Sequence, residues 1–111
     1  LALGTGDANV IIAAISADTV VKINRITVAN VDGSSAADVN IKVVKAAFTS
    51  AATGLSGNVG TIYLAKTIAV PADASLVVLE TPIYMQTGDA LQGGASAAGD
   101  LEVFVSYDVI A

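Results

Sequence analysis

The residues able to carry chemistry in this chain are few, and their types narrow the options at once. There is no histidine and no cysteine, which removes the usual general base at neutral pH, the thiol nucleophile and most transition-metal ligation. Carboxylates, lysines, tyrosines and hydroxyls remain. Paired carboxylates can hydrolyse glycosides, but they need a cleft lined by rings and polar groups, and the chain has no tryptophan and three tyrosines. DGSSAAD (residues 32–38) places Asp32 and Asp38 around two serine hydroxyls, hard oxygen donors of the kind Ca²⁺ prefers. It lacks the dense oxygen pattern and closing glutamate of an EF-hand loop and reads as a solvated turn. GTGDAN (residues 4–9) has the glycines of a nucleotide loop but no preceding strand, no following helix, and Asn9 where the third glycine belongs. It reads as part of a flexible leading segment at about residues 1–8. TGD (residues 87–89) reads as a tight turn with Gly88 at positive φ. No catalytic, cofactor-binding or metal-binding residue is assigned, and the chain is expected to be non-enzymatic and to need no cofactor.

With chemistry this sparse, the elements themselves become the subject. A chain of 111 residues is one domain by size and buries roughly two thirds of its unfolded surface. Apolar residues make up 54% but aromatic residues only 5%, so the core must be built from small and β-branched side chains. Such stiff side chains favour strands. Five Lys and Arg against ten Asp and Glu give a net charge of −5, a field that repels phosphate backbones, so no nucleic acid partner is expected. The cations Lys22, Arg25, Lys42, Lys45 and Lys66 read as solvated sides of strands. The apolar run ANVIIAAISA (residues 8–17) is too short to span a bilayer and lacks the basic residues that open a signal peptide. Residues 46–65 are uncharged but rich in Thr, Ser, Gly and Asn, so no membrane partner is expected either.

Turn signals recur about every ten residues between runs of branched side chains, a spacing that predicts an all-β, antiparallel β-sandwich, jelly-roll-like, of about seven to eight strands. The whole chain, residues 1–111, is read as this single domain. Within VVKINRITVAN (residues 20–30), Val21 and Ile23 share one parity and Ile26 and Val28 the other, with Asn24 and Arg25 side by side between them. A β-bulge there returns both apolar sets to one face. Residues 49–60 have no periodicity and little bulk and read as a long mobile loop. Pro82 breaks the strand begun by SLVVLE (residues 75–80), and ALQGGAS (residues 90–96) reads as a weak strand.

The closing segment LEVFVSYDVIA poses a problem of faces. Leu101, Val103, Val105, Tyr107 and Val109 fall on one side of an extended strand, and Glu102, Phe104, Ser106, Asp108 and Ile110 on the other. A solitary domain has little reason to set Phe104 and Ile110 among charges facing water. Tyr84 and Tyr107 each close a mostly apolar run, where a ring can pack and its hydroxyl reach a partner. Phe104, Ile110, Tyr84 and Tyr107 are therefore the candidate interface residues.

Four stretches, KINRITVANVDGSSAADVNIKV (residues 22–43), YLAKTIAVPADASLVVLE (63–80), MQTGDALQ (85–92) and LEVFVSYDVI (101–110), together cover most of the chain. Their order and spacing resemble small β-sandwich structural proteins of tailed-bacteriophage virions, from which this sequence departs in being alanine-rich and aromatic-poor. The resemblance implies a virion location and a structural role as a head decoration or cement protein that stabilises the shell through subunit contacts. Its implied partners are copies of itself and a major virion protein such as the capsid protein. A neck, tail or baseplate component is the alternative within that setting. A receptor-binding or glycan-binding module, using the loops at residues 32–38 and 49–60, is the alternative outside it.

Overall fold

Runs of branched residues alternating with polar ones form strands, and the computed structural model describes them for residues 1–45 and 60–110, with the backbone of Phe48–Thr49 and Ser56–Gly57. The strands are β1 (Asn9–Ile12), β2 (Val21–Asn30), β3 (Ala37–Lys45), β4 (Phe48–Thr49), β5 (Ser56–Gly57), β6 (Gly60–Val70), β7 (Ser75–Leu79), β8 (Ile83–Met85), β9 (Ala90–Ala95) and β10 (Leu101–Val109). One sheet has the order β1-β9-β3-β6, and the other has β10-β2-β7 with β8 also paired to β2. Every pairing between these strands is antiparallel. The fold is the all-β, antiparallel sandwich that the turn spacing predicts, with eight strands in its two sheets and β4 and β5 pairing apart from them. The remainder of the expected loop at residues 49–60 lies outside the described residues.

Strand β2 carries the second sheet. Val21, Ile23, Ile26 and Val28 are all buried although they straddle a change of parity. The bulge predicted at Asn24 and Arg25 is what allows it: on β10, Ser106 faces Arg25 while the next residue, Tyr107, faces Ile23. These four meet Val39, Ile41 and Val43 of β3, Leu91 of β9 and Leu101 and Val103 of β10 in one hydrophobic core. Each large side chain in it contributes about 1.5–3 kcal/mol by leaving water. Strands β7 and β8 follow one another along the same edge of β2. Pro82 falls in the gap between them, where no ladder N–H is required.

Asn30, at the end of β2, is a buried polar peg. Its Nδ2 donates to the carbonyls of Ser35 and Val70, both at 2.9 Å, and its Oδ1 accepts the Asp32 N–H at 2.9 Å. One amide thus pins the DGSSAAD loop to the end of β6.

One expectation needs correction. Residues 1–8 are not a loose leader: Leu3 is fully buried, its N–H donates to the Leu101 carbonyl at 2.9 Å, and Val103 N–H donates to the Leu1 carbonyl at 2.8 Å. The segment then crosses to the other sheet, where Ala95 N–H donates to the Gly4 carbonyl at 2.9 Å. It behaves as a clip between sheets, because Leu3 supplies apolar bulk and the exposed edge of β10 supplies unpaired backbone groups. The strand expected at ALQGGAS forms as β9, an inner strand flanked by β1 and β3. Its glycines serve close approach rather than flexibility: a Cβ on Gly94 would lie 1.7 Å from the Gly6 carbonyl oxygen.

Gly94→Ala is expected to destabilise the fold by about 1–3 kcal/mol by forcing the clip away from β9, whereas Gly60→Ala, whose Cβ would meet nothing within 4 Å, leaves the urea midpoint nearly unchanged. Equal midpoints for the two variants would show that the clip does not rest on β9. Asn30→Ala is expected to cost about 2–4 kcal/mol, since it strips three hydrogen bonds and leaves buried backbone groups unpaired; the same urea titration reads it.

Candidate functional site

The outer face of the second sheet is built by alternation. In β2 the residues between the buried ones, Lys22, Thr27 and Ala29, point away from the core. Thr27 is flanked by Phe104 of β10 and Val77 of β7, which places three side chains in a row across the sheet. Phe104 is 71% exposed and Val77 is exposed as well. A second row sets Lys22 between Asp108 and Tyr84, and Tyr84 is 58% exposed. Arg25 stands opposite Ser106, and Glu102 opposite Ala29. The face therefore has an apolar strip with both signs of charge around it.

Of the four interface candidates, Phe104 and Tyr84 share this face. Tyr107 does not. It lies opposite buried Ile23, on the core side of β10, yet is 52% exposed. β10 is an edge strand and the clip pairs with its first residues, so the core-side positions of its second half stand at the rim of the sandwich. Ile110 follows the strand's end, 54% exposed, with its N–H donated to the Val20 carbonyl at 2.8 Å. The four residues thus form one face and one rim: alternation along β10 sets Tyr107 on the side away from Phe104, but it does not foresee that the core-side position of Tyr107 is exposed.

On the opposite outer face the clip meets β3 and β6. Asp7 accepts from Lys42 Nζ at 3.2 Å through Oδ1 and from the Tyr63 hydroxyl at 2.5 Å through Oδ2. Lys66 Nζ sits 4.7 Å from the centre of the Tyr63 ring, within cation–π range. The hydrogen bonds from Tyr63 and then Lys42 hold the Asp7 carboxyl below its ordinary range, and the Asp7 carboxylate raises the Tyr63 hydroxyl above its own. Beside them is an open cleft of about 420 Å³ that Asp38, Asn40 and Thr67 also line. Sequence reasoning missed this cluster, since its members lie 35 and 56 positions apart. The Gly-Gly pair inside a strand was the available signal, because such a pair calls for another backbone close by.

Two further carboxylates, Asp32 and Asp89, serve turns. Asp32 Oδ1 accepts the N–H and the hydroxyl of Ser34, both at 3.0 Å, which lowers its pKa; Asp38 lies in the cleft. Buried Asp89 accepts from Lys45 Nζ at 2.6 Å and from the Gln86 N–H at 2.9 Å, closing the turn in which Gly88 has φ 86°. Among the described residues no three His, Cys, Asp or Glu side chains come together as a metal site. No family model, curated protein or solved structure matches the chain.

Because folding lowers the Asp7 pKa, its contribution is present above the ordinary aspartate value, about 4, and is lost as pH falls through the lowered one. Because folding raises the Tyr63 pKa, its contribution is present below about 10 and is lost as pH rises through the raised value. An NMR titration of the Asp7 carboxyl carbon is expected to show a depressed midpoint that Tyr63→Phe moves back upward. A midpoint at the ordinary value in both proteins would mean that the contact is absent in solution.

Proposed function

We propose that this chain is a non-enzymatic structural subunit whose work is contact: a decoration protein of a phage particle, binding copies of itself and the shell beneath. The carrying observation is the outer face of the second sheet, where Phe104, Thr27 and Val77 form an apolar strip across three strands. A single small domain gains nothing by wetting a phenylalanine, whereas burying it against a neighbour is worth about 1.5–3 kcal/mol. The charges around the strip suit a second copy. Lys22 and Arg25 lie on the same face as Glu102 and Asp108, so a two-fold-related subunit can set each sign against its opposite. The order of the strand and turn motifs supports the phage setting, through the resemblance already described.

Phe104→Asp is expected to leave the urea midpoint within about 0.5 kcal/mol, since the site is exposed, while weakening self-association by about tenfold or more. Sedimentation equilibrium at high micromolar concentration measures the second quantity. A wild-type chain that stays monomeric there, and that does not bind shells lacking it, would overturn the proposal.

A further inference from the structure

The cleft on the outer face of the first sheet lies away from the contact face just described, and we infer that it binds a neutral saccharide unit. Its volume, about 420 Å³, is within the roughly 300–1,000 Å³ of small-molecule sites. Its charges balance. Asp7 and Asp38 stand with Lys66 and with Lys42, which is bound to Asp7, so a dense anion or a bare cation meets as much repulsion as attraction. What the walls offer is an alternation of donors and acceptors. The two carboxylates accept and the Lys66 ammonium donates, while the Thr5, Thr67 and Ser96 hydroxyls do either. Neighbouring hydroxyls on a sugar ring, each both donor and acceptor, match that pattern. The Tyr63 ring supplies the apolar part that a ring's C–H groups require.

The backbone around the cleft is shaped for it at a cost. Between β3 and β6 the register runs from Val39 opposite Ile68 to Ile41 opposite Ala65, so Lys66 and Thr67 together face Asn40. Thr67 has φ 53°, a left-handed conformation that a β-branched residue adopts only under constraint. The constraint is visible: Asn40 Oδ1 accepts the Thr67 N–H at 2.8 Å. In an unbulged strand Lys66 and Thr67 would point to opposite faces, but here both line the cleft. Asp7 is held in place by Tyr63 and Lys42 before any ligand arrives, and the Asp38 backbone is held by Ser96 through two hydrogen bonds of 2.9 Å. Preorganised polar groups of this kind reduce the entropy lost on binding.

The test is an ¹⁵N NMR titration of the full chain with the methyl glycosides of glucose, galactose, mannose and N-acetylglucosamine, and separately with inorganic phosphate and calcium chloride. The expected result is saturable shifts confined to Thr5, Gly6, Asp7, Asn40, Thr67 and Ser96 with at least one glycoside. Asp38→Ala, which removes a carboxylate from the cleft wall, is expected to weaken that binding by about tenfold. Thr67→Gly, which accepts the left-handed backbone without strain but lacks the hydroxyl, is expected to fold and also to bind more weakly. Saturation by phosphate or calcium with none by the glycosides overturns the inference, as does absence of any saturable shift in the cleft. Glycoside binding unchanged in both variants, which would place the ligand elsewhere, overturns it as well.

Discussion

The skipped residue in β2 is the constraint on which the rest of this structure depends. Side chains alternate along a strand, so a run of ten residues can keep one face apolar throughout only if its sequence alternates without interruption. This one does not: Asn24 and Arg25 stand together, and Val21 and Ile23 lie out of phase with Ile26 and Val28. The shift in register against β10 brings all four into the core. An unbulged β2 would turn one pair of large aliphatic residues outward, at about 1.5–3 kcal/mol for each side chain left wet. β2 is bonded to β10, β7 and β8 alike, so the bulge also fixes which residues of those strands face outward.

Two outer faces of different character follow. The second sheet presents an apolar strip with mixed charge around it, the composition of a protein contact. The first sheet presents Asn40, Lys42 and Tyr63, covered in part by the clip that carries Asp7. The clip reaches that position because Gly94 lets the Gly6 carbonyl come against β9. The clip, anchored to Leu101 and Val103 by one end and to Ala95 by the other, ties the two sheets together at the end of the molecule where Asn30 gathers its loops. One face is suited to lie against a neighbour while the other stays open to a small polar ligand.

The strands were legible in the sequence because their signals are local: period-two alternation, turn residues and Pro82 each act within a few positions. Even the bulge could be read, from two polar residues side by side. What could not be read depends on tertiary approach. Asp7 looked like part of a loose leader because nothing near it announces Lys42 or Tyr63. The pair Gly93 and Gly94 looked like a weakness in β9 because a missing side chain carries no label saying which backbone occupies its space. The exposure of Tyr107 on the core side of β10 was hidden for a related reason. Parity predicts the side of a strand, but exposure at an edge strand depends on how far the covering elements extend. Asp32 and Asp38 were paired by nearness in sequence; the fold gives one to a turn and the other to the cleft.

The central claim is that the outer face of the second sheet is covered by protein when the chain is at work. Hydroxyl-radical footprinting read by mass spectrometry, comparing the dilute free chain with the chain in the assembly proposed for it, tests that claim most directly, because Phe104 and Tyr84 are reactive and exposed. The account predicts strong labelling of both residues in the free chain and marked protection of both on assembly, with Tyr63 labelled alike in the two states. Labelling of Phe104 and Tyr84 that does not change on assembly would contradict it.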